Sequence, residues 1–186
     1  MELVFVRHGE GEHTEKPDRL HNLHPELTIR GENQARKLQE TWPLVSEDFL
    51  IVSPTVRTLQ TAAHWSEGIP CRVMVNPAVG PRMFPQKKEW ETLPCDQILT
   101  KDRAAEDFPD FHLGGKRWAE GINEIPEKEF VDAASELIHW CKQLGKDRVF
   151  VVTHDGTMTA YRQWMERRTL TRKDFPKETG WIRVNV

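Results

Sequence analysis

Three short apolar runs, each ending abruptly in polar or charged residues, give this chain its pattern. Leu3–Val6, Phe49–Val52 and Val149–Val152 are rich in β-branched and aromatic residues and too short for helices, which predicts buried strands. They run respectively into Arg7-His8-Gly9-Glu10, Ser53-Pro54-Thr55-Val56-Arg57 and Thr153-His154-Asp155-Gly156. The carboxyl ends of parallel strands are the usual ligand crevice of an open α/β sheet. If the three strands lie parallel and side by side, Arg7, His8, Arg57 and His154 converge on one pocket.

Between the strands the period changes. Gly11 to Thr28 is polar, with His13, His21, His24, Pro17 and Pro25, and reads as an irregular loop. Ala35, Leu38 and Trp42 then recur at helical spacing, predicting a helix from about Ile29 to Trp42 behind Thr28. Ser53 reads as the N-cap of a helix that has Pro54 in its first turn and runs to about Ser66. Val73–Val75 predicts another strand. Residues 77–129 hold six of the chain's 12 prolines. This stretch reads as an insertion with short helices, for instance around Cys95–Glu106, covering the active site. Phe130 to Leu144 predicts a helix stopped by Gly145, and a further helix is expected from about Thr157 to Arg167. Trp181–Val186 alternates in polarity as a half-exposed edge strand does. The expectation is one domain over residues 1–186, a three-layer α/β/α sandwich on a mostly parallel sheet with an antiparallel edge strand.

Composition narrows the function. With 186 residues, 38% hydrophobic and 30% charged, the chain can bury an ordinary core. Its net charge of -3, with signs interspersed, argues against nucleic-acid binding through a basic surface. No stretch is long enough to span a membrane. Cys71, Cys95 and Cys141 are few, odd in number and without metal-ligand spacing, which fits packing residues in a reducing cytoplasmic setting.

Two arginines and two histidines at strand ends suit phosphate, because guanidinium forks match phosphoryl oxygens. No Walker-type loop and no acidic magnesium cluster is present, so no metal or other cofactor is expected and the arginines must neutralise phosphoryl charge themselves. Surrounding positive charge favours a neutral histidine with a lone pair free to attack phosphorus. His8 is therefore a candidate nucleophile.

Arg7-His8-Gly9-Glu10, Leu27-Thr28 with Gly31, Gln34 and Ala35, Ser53-Pro54 with Arg57, Gln60-Thr61-Ala62 and the late His154 together resemble the histidine phosphatase, or phosphoglycerate-mutase-like, superfamily. The resemblance covers nearly the whole chain apart from the insertion. It implies the phosphoglycerate-mutase-like α/β/α fold, phosphorylation of His8, and phosphoryl binding by Arg7, Arg57 and His154, with Gly9 letting the backbone come close. The chain also departs from the family pattern. The mutase branch carries a glutamate acid in a segment that here reads Pro81-Arg82-Met83-Phe84-Pro85, and proline cannot transfer a proton. His154-Asp155 instead looks like the acid-phosphatase and phytase branch, which makes Asp155 the first candidate for general acid, followed by Glu89, Glu91 and Asp96. Thr14 stands where mutase-like members often have asparagine.

These readings imply a metal-independent phosphomonoester hydrolase acting on a small phosphorylated substrate through phosphohistidine at His8. A phosphoglycerate-type mutase and a catalytically weak phosphate-binding or regulatory protein are the alternatives. The alternative role for Asp155 is to cap a helix. Arg82 reads either as a substrate or second-layer phosphate contact or as a solvated arginine, and Thr14 as a possible substrate contact. His21 and His24 lack the further ligands a metal would need.

Overall fold

The computed structural model describes residues 1–15, 17–87 and 89–186; Lys16 and Lys88 lie outside them. Its centre is a six-stranded sheet built from β1 (Glu2–Arg7), β2 (Phe49–Val52), β3 (Arg72–Val75), β4 (His112–Leu113), β5 (Arg148–Thr153) and β6 (Trp181–Asn185). The strand order is β4-β3-β2-β5-β1-β6. Every pairing is parallel except the antiparallel β1–β6 edge. The helices are α1 (Glu12–Glu15), α2 (Ile29–Thr41), α3 (Val56–Trp65), α4 (Lys101–Asp107), α5 (Glu127–Gln143) and α6 (Asp155–Glu166).

Alternation along the strands divides the core into two halves. Leu3, Phe5, Phe49, Ile51, Val149 and Val151 face Phe130, Ala134, Leu137, Met158 and Tyr161 of α5 and α6. Val4, Val6, Leu50, Val52, Phe150 and Val152 face Leu38 of α2 and Leu59, Ala62 and Trp65 of α3. The strands read as unbroken apolar runs because both faces are covered. The result is the expected three-layer α/β/α arrangement.

Several element expectations need correction. The segment 11–28 is partly regular, with α1, a 3-10 turn at Pro17–His21 and a bridge between Gly11 and Leu27. Ser53 is not an N-cap: Thr55 takes that place, its side chain exchanging contacts with Thr58, and Pro54 precedes the helix. The helix expected around Cys95–Glu106 is a 3-10 turn, Pro94–Asp96, followed by α4. Residues 77–129 also supply a short strand, since β4 extends the sheet by pairing with Met74 and Val75. A two-residue strand inside a proline- and glycine-rich stretch has too few residues to show a period. The last helix starts two residues early, with His154 at the N-cap position and Asp155 as its first residue.

Among the described residues, no helix is long and apolar enough to cross a membrane.

Candidate active site

The adjacency β2-β5-β1 brings three strand ends together. His8 N donates to Thr153 O (3.0 Å) and Ser53 N donates to Val152 O (3.0 Å), so the backbone ties the exits of these strands into one rim. Arg7 and His8 leave β1, His154 leaves β5, and Arg57 reaches in from the first turn of α3. Together with Asp96 and Asp155 they line one cleft of about 290 Å3.

The residues that made the sequence pattern recognisable hold the His8 loop in place. Gly9 N donates to Thr61 Oγ1 (3.1 Å), and Glu10 N donates to Gln34 Oε1 (2.8 Å). Leu27 N donates to Gln60 Oε1 (2.8 Å), while Thr28 caps α2 by accepting from Gly31 N (3.0 Å). Here α2 crosses the loop so closely that a Cβ on Gly9 would collide with the Gly31 carbonyl, and one on Gly31 with the Glu10 carbonyl. Only glycine allows that approach.

Donor and acceptor chemistry fixes the state of His8. The Gly9 carbonyl lies 2.6 Å from His8 Nδ1 and can only accept, so Nδ1 carries the proton. Arg57 Nε can only donate, and it points at Nε2 from 3.3 Å, so Nε2 presents its lone pair. Burial, then Arg57 and Arg7, push the His8 pKa well below its usual value, which keeps the ring neutral. His154 is held neutral by the same causes, burial first and Arg57 next. Its Nδ1 accepts from Arg57 Nη2 (3.2 Å), so Nε2 donates to Ser53 Oγ (2.8 Å).

Arg57, only 1% exposed, is spoken for at every nitrogen. Besides the two histidines it donates to Cys95 O (2.6 Å) and pairs with Asp96 Oδ1 (2.9 Å). Arg7 donates to Pro176 O (2.8 Å) and pairs with Asp155 Oδ2 (2.9 Å), while its buried Nε has no partner among the described residues. The two arginine charges are thus matched by two carboxylates. Asp155 Oδ1 also accepts from Gly156 N (2.6 Å), so the residue joins the first turn of α6 to Arg7. The carboxyl of Asp96 is pushed above the usual range, chiefly by burial and further by the charge of Asp155, although Arg57 pulls it down.

The remaining candidates separate. Thr14 lines the cleft, its hydroxyl donating to Gly11 O (2.7 Å). Glu89 and Glu91 are exposed and do not line it. Arg82 lines the cleft and is not solvated. Its side chain is buried, donating to Ile122 O (2.8 Å) and Ile125 O (3.0 Å), pairing with Glu127 (3.0 Å) and lying over the Phe130 ring. A lone arginine beside prolines carries no sequence sign of such an internal strut. Among the described residues, no three His, Cys, Asp or Glu side chains gather as metal ligands, and His21 and His24 belong to no such group.

Two participants escaped the sequence reading. His13 lines the cleft with its ring 5.8 Å from that of His8, and burial followed by Arg57 and Arg7 lowers its pKa to about 3. The signal was Gly11, where a Cβ would lie 2.8 Å from the His13 ring. Ser53, read as a helix cap, is instead buried as the hydrogen-bond partner of His154.

Solved structures share this fold. An ecdysone phosphate phosphatase from Bombyx mori matches with a TM-score of 0.70 at 14% identity, covering 100% of this chain and 89% of that one. An α-ribazole phosphatase from Shigella flexneri gives 0.65 at 19%, covering 100% and 91%. A phosphoserine phosphatase from Entamoeba histolytica gives 0.61 at 20%, covering 98% and 89%. No curated protein matches the chain. The family model of the histidine phosphatase superfamily (branch 1) matches residues 3–181, nearly all of the sequence whose strand ends form this cleft, and the chain belongs to that superfamily.

Proposed function

We propose that the protein is a metal-independent phosphomonoester hydrolase that works through a phosphohistidine at His8 Nε2. The observation that carries this reading is the fixed tautomer. A neutral imidazole presents its lone pair beside Arg57, Arg7 and His154, at the floor of a cleft open to substrate. The similar solved proteins named above as phosphatases of ecdysone phosphate, α-ribazole phosphate and phosphoserine accord with hydrolysis.

A phosphoryl group entering the cleft competes for the donors of Arg57 and for the unpartnered Arg7 Nε. The His8 Nε2–phosphorus bond forms as the ester P–O bond breaks, and Arg7 and Arg57 offset charge on the equatorial oxygens. The proton stays on Nδ1, which donates to the Gly9 carbonyl, and that hydrogen bond stabilises the cationic phosphoimidazole. His154 can turn a proton toward the phosphoryl group if its tautomer switches. The Ser53 hydroxyl can follow that switch, accepting from Nε2 in one tautomer and donating to it in the other, once Arg57 Nη2 turns from His154 Nδ1 to the phosphoryl group.

The leaving oxygen needs a proton. Both Asp155 oxygens are taken up by strong donors, Arg7 and Gly156 N, which suits a residue that orients Arg7. Asp96 has the better character for an acid: it lines the cleft, and burial and the Asp155 charge raise its pKa against the pull of Arg57, a pull that weakens when Arg57 turns to the phosphoryl group. We therefore assign the proton transfer to Asp96. Having protonated the leaving alkoxide, it accepts a proton from the water that attacks phosphohistidine, releasing phosphate and restoring His8.

Rapid quench with a labelled phosphomonoester, in the presence of a chelator, tests this directly. Acid-labile, base-stable label on the wild type and none on His8→Ala is the expected result. Hydrolysis that survives His8→Ala, or that stops when metal is removed, would overturn it. Transfer of phosphate between phosphoglycerates in excess of hydrolysis would move the assignment to the mutase alternative.

A further inference from the structure

The floor of the cleft is charged, but its walls are not. Leu20, Met83, Phe84, Trp90, Leu93 and Phe175 surround the phosphoryl-binding end. This wall is built rather than incidental. Arg82 pins segment 81–84 to the carbonyls of Ile122 and Ile125, and Met83 N donates to Asn123 Oδ1 (2.7 Å). Gly156 lacks the Cβ that would strike the Arg82 carbonyl, so the segment sits directly on the start of α6. The Phe84 and Phe175 rings meet at 6.2 Å, and Arg172 lies over Phe175 with its Nε donating to Phe84 O (3.2 Å).

Polar groups in the cleft are largely committed. Arg57 and Arg7 face Asp96 and Asp155, which leaves Arg172 at the rim as the further cation. Three buried nitrogens of cleft-lining residues have no partner among the described residues, Arg7 Nε, His13 Nδ1 and Trp90 Nε1, and of these Trp90 Nε1 belongs to the apolar wall. A buried donor of this kind costs stability unless a ligand satisfies it. The volume of about 290 Å3 lies at the low end for small-molecule sites, which suits a phosphoryl group with one ring or a branched chain.

We propose that the preferred substrates are phosphomonoesters of compact aromatic or branched apolar alcohols that carry one acceptor for Trp90 Nε1. This rests on the phosphatase reading above and names its substrate class. Sugar phosphates and phosphorylated polyols would present hydroxyls to a wall with little to pair them.

Two measurements separate this inference from the activity beneath it. Calorimetry compares benzylphosphonate with 2-hydroxyethylphosphonate, and kinetics compares 2-phenylethyl phosphate with glycerol 1-phosphate, on wild type, Trp90→Ala and Leu20→Asn. Leu20 is 36% exposed, so its variant guards against a folding artefact at Trp90. Burying a phenyl group predicts a preference of about ten- to a hundredfold for the apolar member of each pair. Either variant should shrink that ratio. Equal affinities for the two phosphonates, or a preference for the polar ones, would overturn the proposal even if both esters are hydrolysed. A preference in binding without hydrolysis of either ester would uphold the wall and overturn the phosphatase reading.

Discussion

Replacing Asp96 by asparagine tests the assignment of the acid, because the structure separates its two contributions. The stability contribution is small. Asp96 is 28% exposed but its partner Arg57, at 2.9 Å, only 1%, so loss of the carboxylate charge with the Asn oxygen kept as acceptor costs roughly 1–2 kcal/mol, a shift of about 2–8 °C in Tm for a chain of this size. The catalytic contribution is larger and depends on the ester. A positioned acid is worth about 10²–10⁴ in rate when the leaving oxygen is a poor leaving group. It is worth little for 4-nitrophenyl phosphate, whose phenolate departs unaided. Asp96→Asn should therefore lower kcat/KM for an alkyl phosphate at least about a hundredfold, and for the nitrophenyl ester by less than about tenfold. Asp155→Asn should reduce both esters alike, because it loosens Arg7. The pH profile follows in sign. The acid must be protonated, so alkyl-ester activity falls as pH rises through the raised Asp96 value, and that limb disappears in Asp96→Asn. Equal losses on both esters for Asp96→Asn, with leaving-group discrimination for Asp155→Asn, would return the acid to Asp155.

Three further outcomes follow from the same geometry. His13 has a folded pKa of about 3, below the ordinary histidine value of 6.5, so its neutral form contributes stability above pH 6.5 that is lost as pH falls toward 3. By pH 4.5 that loss is roughly 2–3 kcal/mol; urea melts across pH should show His13→Asn with a correspondingly flatter acid dependence, and parallel curves would refute the shift. Gly31→Ala forces a Cβ into the Glu10 carbonyl and should cost roughly 1–3 kcal/mol while moving His8, so that thermal melting and activity drop together; unchanged melting would show that the crossing relaxes. Arg82→Ala strands the Ile122 and Ile125 carbonyls, should destabilise by about 2–3 kcal/mol and, by loosening the wall, should raise KM, with kcat loss limited to the unfolded fraction; a lowered kcat in a fully folded variant would refute this strut role.

The sequence determined the parts whose physics is local or periodic. Apolar runs covered on both faces are strands wherever they sit, so β1, β2 and β5 were legible together with the residues at their ends. Thr28 before a 3.6-residue period marked the start of α2, and Gly145 with φ +65° marked the end of α5. The strand ends also implied that Arg7, His8, Arg57 and His154 meet, because parallel strands present their carboxyl ends on one side.

Only the tertiary structure decided what those groups do to one another. Ser53 looked like a cap because capping depends on three or four neighbouring residues, yet its partner His154 lies 101 positions away. Arg82 and Asp96 sit in a stretch without period, and their burial, pairing and charge come from Ile122, Glu127, Arg57 and Asp155, which no spacing connects to them. The neutral state of His8 and the apolar wall facing it have the same origin. Desolvation and the nearby field are sums over everything that packs around a group, and packing exists only once the chain has folded.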